Sequence, residues 1–213
     1  MSGKRKPGTI YFLLGALALT AALALTVRNL AEQRTAQTAV ADTMRTLTAA
    51  VAERSDAAAP VQEPGDAPDN APEAETLLPE RTMPVVTVNG YDYIGWLELP
   101  TLGLELPVMS EWSYARLKIA PCRYTGSAYS GDMVLAAHNF SSHFGRLSEL
   151  SPGDAVIFTD ADGHVFSYEA ADVEILQPTA VEEMTAGEWP LTLFTCTYGG
   201  RTRLTIRCAA AEE

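Results

Sequence analysis

The sequence predicts a mainly β domain, folded as a mostly antiparallel barrel or sandwich, that follows one N-terminal membrane helix. Two observations predict this class. Residues 9–27 carry no charge, and residues 83–213 contain about eight short apolar runs separated by turn residues. The first pattern is typical of a membrane span and the second of small all-β domains.

The apolar stretch at residues 9–27 is long enough for a helix to cross roughly 30 Å of hydrocarbon. Lys4, Arg5 and Lys6 in the N-terminal segment 1–8 favour a cytoplasmic N-terminus, so that everything after Val27 lies outside a single-pass anchor. A cleaved signal peptide is the alternative, since small residues occur near the end of the run. The length of the run, and Arg28 directly after it, favour a retained anchor.

Two further segments precede the main domain. Residues 28–59 are rich in Ala, Thr, Gln and Arg, which predicts a helical or partly ordered stalk with too few apolar positions for its own core. Residues 60–82 are rich in Pro, Glu, Asp and Ala and predict a disordered acidic linker. Such a linker would hold the domain at 83–213 away from the membrane and leave it free to reorient.

The strand predictions for the main domain rest on β-forming runs that end at Gly, Pro, Asn or Asp. Asp162-Gly163 between two such runs is a hairpin signal. Brief helices are expected near residues 113–117 and 144–150. The predicted strands are residues 85–88, 94–99, 104–108, 133–137, 156–159, 165–168, 173–176, 191–195 and 203–208.

Charge and cysteine content exclude some functions. The net charge of −12 excludes electrostatic attraction to nucleic acid, which is itself a polyanion. Three cysteines leave at least one unpaired in an exported domain. Cys122 and Cys208 are expected to be small buried side chains, with a disulfide between them as the alternative.

Cys196, His138 and Arg203 are the candidate catalytic residues. A thiol, an imidazole and a guanidinium can attack an acyl group, move protons and hold an oxyanion. Alternation along residues 203–207 puts Leu204 and Ile206 on the core side, with Arg203 and Arg207 facing away from it or toward a groove. Arg207 and Arg201 therefore remain alternatives to Arg203.

Short motifs around these residues resemble those of sortases, the membrane-anchored cysteine transpeptidases of Gram-positive bacteria. Thr192-Leu193-Phe194-Thr195-Cys196 matches their TLxTC signature, and the resemblance extends from about Tyr93 to Arg207. Ala137-His138-Asn139 and the run 203–207 resemble the segments that carry the family's histidine and arginine. The resemblance implies an eight-stranded sortase β-barrel.

The resemblance also implies a reaction. Cys196 would attack the Thr-Gly bond of an LPxTG-like sorting signal on an exported protein and form a thioacyl intermediate. His138 would move protons, and Arg203 would donate hydrogen bonds to the oxyanion. The acceptor would be an amine on a cell-wall precursor such as lipid II or on a pilin lysine, and no cofactor is needed. Both a neutral Cys196–His138 pair and a thiolate–imidazolium pair are chemically possible at rest.

The segment 177–189 corresponds, by the resemblance, to the loop that forms one wall of the family's sorting-signal groove. Its apolar members Val181, Met184 and Trp189 are expected to contact the Leu-Pro part of the signal, and Thr195 to line the floor.

The early Gly95-Trp96 strand and the segment 110–117 resemble class B enzymes, whereas the short loop at 177–189 does not suit the long insertion typical of that class. No Asp-Pro-aromatic lid motif typical of class C occurs in the linker. A class B-like or class D-like enzyme is therefore expected.

Several alternatives stay open on the sequence alone. A cysteine endopeptidase would use water in place of the amine, and an inactive exported relative would only bind. His143 and His164 stand near turn residues and are expected to be solvated. No metal is expected, because Glu105, Asp160 and Asp162 lack the spacing of an EF-hand and no zinc ligand set is complete.

Overall fold

The computed structural model describes residues 7–57, 82–186 and 188–211, so nearly all of the predicted linker at 60–82 lies outside the described residues. The described residues contain two α-helices, α1 (Pro7–Ala57) and α2 (Val181–Thr185). The nine strands are β1 (Val86–Val88), β2 (Tyr91–Leu99), β3 (Leu104–Met109), β4 (Cys122–Thr125), β5 (Met133–Ala136), β6 (Ala155–Asp160), β7 (Val165–Leu176), β8 (Leu191–Cys196) and β9 (Arg203–Ala210).

The strands form one sheet in the order β1-β2-β3-β4-β5-β8-β9-β7-β6, and β2 also pairs with β6. That last pairing closes β2 to β9 into an eight-stranded barrel, which β1 extends at one edge. Most pairs are antiparallel, whereas β3–β4 and β5–β8 are parallel. The predicted mainly β fold and eight-stranded barrel are confirmed.

Gly95 allows the barrel to close. It stands opposite Asp160 in the β2–β6 pair and has φ 142°, a value that side chains other than hydrogen rarely permit. A Cβ atom there would lie 1.9 Å from the carbonyl oxygen of Thr159. Only glycine therefore lets the two backbones approach at this point.

The structure differs from the predicted elements in three ways. Residues 165–168 and 173–176 belong to one strand, β7, which continues past a register shift between Ala170 and Asp172. β4 and α2 were not predicted. The helices expected near residues 113–117 and 144–150 are short 3₁₀ turns at Arg116–Lys118 and Leu147–Glu149.

Inward-facing aliphatic side chains fill the barrel. Ile206 is fully buried, as the alternation in β9 predicts, and Leu204 packs against the same core from a half-buried position. Cys122 and Cys208 are also fully buried and form no disulfide. Other completely buried members of the core are Ile94, Leu97, Leu99, Leu106, Leu135 and Leu193.

Helix α1 runs without a break through the predicted anchor and the predicted stalk. It is long and apolar enough near the N-terminus to cross a membrane. Its second half packs on the barrel, where the buried side chains recur every three or four residues and so share one face. These residues form no core of their own and instead cover that of the barrel; they are Ala36, Val40, Thr43, Met44, Leu47 and Val51.

Candidate functional site

Cys196 and Arg203 are brought together by strand register. Cys196 ends β8, Arg203 begins β9, and the two are direct cross-strand partners. The short Tyr198–Gly200 turn between the strands is stabilised where the Thr197 amide donates to the Thr202 carbonyl at 3.0 Å. Cys196 is exposed, unlike the other two cysteines. The pair therefore stands at the open rim of the barrel.

The Arg203 side chain is half-buried and faces the same groove as Cys196. Its Nη1 atom donates to the carbonyls of Gly200 and Thr202, both at 3.2 Å. These bonds hold one side of the guanidinium fork, which has five N–H donors in total. Donors remain for a substrate oxygen beside Cys196.

Arg207 has a different position on the same strand. It is almost fully buried, and its guanidinium donates to Glu174, Thr192 and the carbonyls of Glu183 and Met184 at 2.6 to 3.2 Å. Arg207 thus holds the end of α2 against the barrel, and four of its five N–H donors are occupied. Arg201 lies in the turn and is exposed.

His138 follows β5, which runs parallel to β8 and ends at the same rim. The Ala137 amide donates to the Phe194 carbonyl at 3.2 Å, and the Thr195 hydroxyl donates to the Ala137 carbonyl at 2.9 Å. These two bonds align the residues before His138 with those before Cys196. Thr195 itself is nearly buried at the floor between the two.

The His138 ring is half-buried and stacks on Phe140, with ring centroids 3.9 Å apart. Its Nδ1 atom is buried without a hydrogen-bond partner among the described residues. Burial lowers the pKa of His138 below its usual value, opposed by the Asn139 side chain and, more weakly, by Glu32, while Lys118 adds to the lowering. The neutral imidazole is therefore favoured at rest.

His143 lies behind the stacked rings of His138 and Phe140 and is fully buried, so the expectation that it is solvated is wrong. Its ring is 5.6 Å from that of Phe140, and neither ring nitrogen has a hydrogen-bond partner among the described residues. Burial, helped by His138, lowers the pKa of His143 to about 4, and the Ile119 backbone opposes this. The turn residues around His143 fold inward here, whereas His164 is exposed as expected.

A groove of about 170 Å³ leads to Cys196 and Arg203. It is smaller than a typical enclosed ligand pocket and suits a segment of extended peptide. Of the residues expected to bind substrate, Val181, Met184 and Thr195 line it, whereas Trp189 is half-buried and is not part of its lining.

The opposite wall of the groove was not predicted. Trp112, Tyr124 and Phe194 form a continuous aromatic row, with successive ring centroids 5.4 Å apart, and Tyr114 extends it. The sequence signal was the occurrence of three aromatic residues within positions 112–124. Leu117 and Pro178 also line the groove.

In the described part of the chain, no group of three or more His, Cys, Asp or Glu side chains is placed to hold a metal ion. Asp160 instead accepts hydrogen bonds from the amides of Asp162 and His164, both at 2.9 Å, and so closes the turn between β6 and β7. The acidic residues at this turn have a structural role.

Comparison with known families and structures gives one consistent result. Residues 97–211 match the family model described as the Sortase domain. Sortase A from Corynebacterium diphtheriae is similar with a TM-score of 0.53 and 20% identity, over 58% of this chain and 62% of that chain, which is less than two thirds of its length. No curated protein matches the chain.

Two further solved structures are similar to the chain. Sortase C1 from Streptococcus agalactiae has a TM-score of 0.52 and 22% identity, over 60% of this chain and 72% of that one. Sortase C from Clostridium perfringens SM101 has a TM-score of 0.51 and 20% identity, over 83% of this chain and 91% of that one. At these identities the likeness concerns the fold.

Proposed function

The chain belongs to the sortase family, and we propose that it is a cysteine transpeptidase that cleaves an LPxTG-like sorting signal on exported proteins. The acyl group passes through a thioester on Cys196 to an amine, such as that of lipid II or of a pilin lysine. Catalysis needs no cofactor, because one amide bond is exchanged for another.

The observation that carries this proposal is the cross-strand pair Cys196–Arg203 at the end of the groove. A nucleophile works best beside a fixed donor for the oxyanion that its attack creates, and neighbouring strands supply that fixed geometry. Arg203 uses two of its five N–H donors, both on Nη1, whereas Arg207 uses four of its five within the protein. This contrast favours Arg203 as the oxyanion donor.

The proton transfers are assigned to His138. The neutral imidazole accepts the Cys196 proton as sulfur attacks the carbonyl carbon, and it returns a proton to the leaving amine when the C–N bond breaks. In the second half, the acceptor amine attacks the thioester, its proton passes through His138, and Cys196 leaves as a thiol. Burial, which favours the neutral form of His138, is consistent with this order.

The groove suits the apolar half of the signal. Val181 and Met184 stand on the α2 wall, and the aromatic row from Trp112 to Phe194 forms the other. An extended Leu-Pro segment between these walls would place the next residues of the signal at Cys196. Specificity would then come from walls in which Trp112, Tyr114 and α2 lie on connections between strands.

The apolar N-terminal helix and the family together indicate a membrane-anchored protein. We place the N-terminus in the cytoplasm, because three basic residues precede the apolar run. The barrel then lies outside, where exported substrates and the lipid-linked acceptor share one surface with it. Confinement to that surface raises their effective concentration.

A product analysis tests the proposal. The full chain in detergent micelles is incubated with LPxTG-like peptides, with and without an oligoglycine amine, and the products are identified by mass spectrometry. We expect a new amide between the peptide and the amine, lost in Cys196→Ala and retained in Cys122→Ala. Hydrolysis alone in the presence of amine would indicate an endopeptidase, and no turnover by a folded protein would indicate a binding domain.

A further inference from the structure

The packing of α1 on the barrel relates the catalytic site to the membrane. The apolar run ends at Val27, and the helix continues from there onto the barrel without a break. Its buried face begins at Ala36 and ends at Val51. The side chains of Thr43 and Tyr93 are hydrogen-bonded inside this contact, and burial raises the pKa of Tyr93 in spite of that bond. The barrel is therefore fixed to the helix along residues 36–51.

The two ends of the docked part of α1 contact opposite ends of the barrel. Near the membrane, residues 28–39 border a cavity with Lys118, Ile119 and Phe140, the residue that stacks on His138. At the far end, Arg54 forms an ion pair with Asp162 at 3.1 Å. The catalytic side thus adjoins the start of the docked segment, and the β6–β7 turn adjoins its end.

The position and length of β7 independently indicate that the catalytic side and the β6–β7 turn lie at opposite ends of the barrel. This strand starts at Val165, just after that turn, and ends at Leu176, which is the cross-strand partner of Arg203. Twelve residues of strand span roughly 36 Å. The helix from Glu32 to Arg54 covers about 33 Å at 1.5 Å per residue. Both elements therefore run between the same two ends of the molecule.

Exposed apolar side chains are concentrated at the catalytic end. Outside α1, nine large apolar residues are exposed in the described part of the chain, and five of them border the two grooves that meet at Cys196. Three of the five are Trp112, Tyr114 and Tyr198. Tryptophan and tyrosine are the residue types that favour the boundary between lipid and water. The five are Trp112, Tyr114, Ile175, Val181 and Tyr198.

We infer that the barrel stands with its catalytic rim, defined here by Trp112, Tyr114 and Tyr198, in the outer headgroup layer of the membrane that α1 spans. Glu32 borders the same cavity as Phe140, the residue that stacks on His138, and lies about 8 Å along the helix beyond Val27. The headgroup layer is about 5 to 8 Å deep on each side. A helix tilt near 20° changes these heights little.

This orientation gives the rim a lipid surface as partner and sets where substrate is cut. A polypeptide that emerges from the bilayer needs only a few extended residues to reach Cys196 at this height. The docked helix also opposes the free reorientation that the acidic linker had suggested. That linker joins Ala57 to residues near β1, at the end of the barrel farther from the membrane.

Depth measurements on the full chain test the inference without any use of activity. In a Cys196→Ala background, one cysteine is introduced at Tyr114, at Tyr198 or, as the distal control, at Val165, and is labelled with bimane. All three sites are exposed. Cys122 and Cys208 do not react, because burial raises the pKa of each to about 12. The proteins are placed in nanodiscs of phosphatidylcholine and phosphatidylglycerol that contain a headgroup nitroxide lipid.

We expect quenching at positions 114 and 198 to be several times that at position 165. A polar helical insertion of about two turns between Val27 and Arg28 keeps the docked face and raises the rim by about 10 Å, so it should remove most of the quenching at position 114. Equal quenching at both ends, or none at positions 114 and 198, would overturn the inference. Quenching that survives the insertion would also contradict it, because the height would not be set by α1.

Discussion

The groove has a strand-built side and a loop-built side. The strand-built side is the end where Cys196 and Arg203 occupy two paired strands, and six consecutive residue pairs of the β8–β9 ladder fix their register. The loop-built side consists of Trp112 and Tyr114 in one wall and α2 in the other, all of which lie on connections between strands. A ladder fixes positions through many backbone bonds, whereas a connection depends on a few side chains.

Those few side chains are buried or half-buried arginines. Arg123 donates to the carbonyls of Ser110 and Gly126 at 3.0 and 3.1 Å and so holds the connection that carries Trp112. Arg207 does the same for α2 through its bonds to Glu183 and Met184. In the proposed function, the chemistry would therefore depend on strand register and the selectivity on these individual arginines. The two should therefore respond separately to mutation.

The largest expected effect is on the strand-built side. Arg203→Ala removes the proposed oxyanion donor and should lower kcat/KM by about 10²- to 10³-fold. The matched control is Arg201→Ala, which removes an exposed guanidinium from the same turn and should leave kcat/KM unchanged. Initial rates of peptide cleavage, with circular dichroism as the check on folding, measure both. Equal losses in the two variants would show that only the charge of the turn matters.

The next largest effect is expected on stability at low pH, through His143, the buried histidine behind His138. The unfolded chain binds a proton at His143 near pH 6.5, whereas in the folded protein its pKa is about 4. Stability is therefore complete above pH 6.5 and falls by about 3 kcal/mol as the pH drops toward 4. His143→Phe and His143→Gln should both remove this part of the pH dependence.

Urea unfolding from pH 4 to pH 8 measures that slope for the two variants beside the parent chain. A parent curve as steep as those of both variants would mean that His143 does not contribute. A curve that flattens in the Phe variant but not in the Gln variant would also contradict the assignment, because neither side chain titrates in this range.

The loop-built side should respond through binding. Arg207→Lys keeps the charge but loses the planar fork that reaches four acceptors, so we expect a loss of about 2 kcal/mol of stability and a higher KM for peptide. The rate at which a small thiol reagent labels Cys196 should not change. Glu174→Gln, which keeps an acceptor for the Arg207 Nε atom, should have a smaller effect on both quantities. A lower labelling rate in Arg207→Lys would show that the reactivity of Cys196 also depends on the anchoring of α2.

The smallest effect is expected at Thr195. Thr195→Val keeps the shape but loses the hydrogen bond to the Ala137 carbonyl, which should cost about 1 kcal/mol and lower kcat several-fold. Thr195→Ser keeps the hydroxyl and should behave like the parent chain. If the Val and Ser variants had the same kcat, this bond would not align His138 with Cys196.

The sequence predicted the fold well where strands alternate regularly or end at clear turns. Most strands of the barrel are in this group, including β8 and β9, which carry Cys196 and Arg203. β4 was missed because it is short and carries Arg123 and Tyr124, which are not apolar. The continuity of β7 was hidden by Ala170-Ala171-Asp172, where the strand shifts its register.

The walls of the groove could be predicted only in part. Resemblance located the loop with Val181 and Met184, but Trp189 is not part of the groove lining. The aromatic row depends on the path of the connection between β3 and β4, which no local pattern determines. The same holds for His143, because tertiary packing buries a residue that its polar neighbours Ser141 and Ser142 suggested was exposed.

In the proposed reaction, Cys196 carries the acyl group as a thioester. The most direct test is intact-mass spectrometry of the full chain, incubated with an LPxTG-like peptide in the absence of amine and quenched in acid. We predict a mass gain equal to the acyl fragment, mapped to Cys196 by peptide digestion and discharged when amine is added. Product formation by the Cys196→Ala variant would contradict this role of Cys196. An adduct on another residue of the parent chain would contradict it as well.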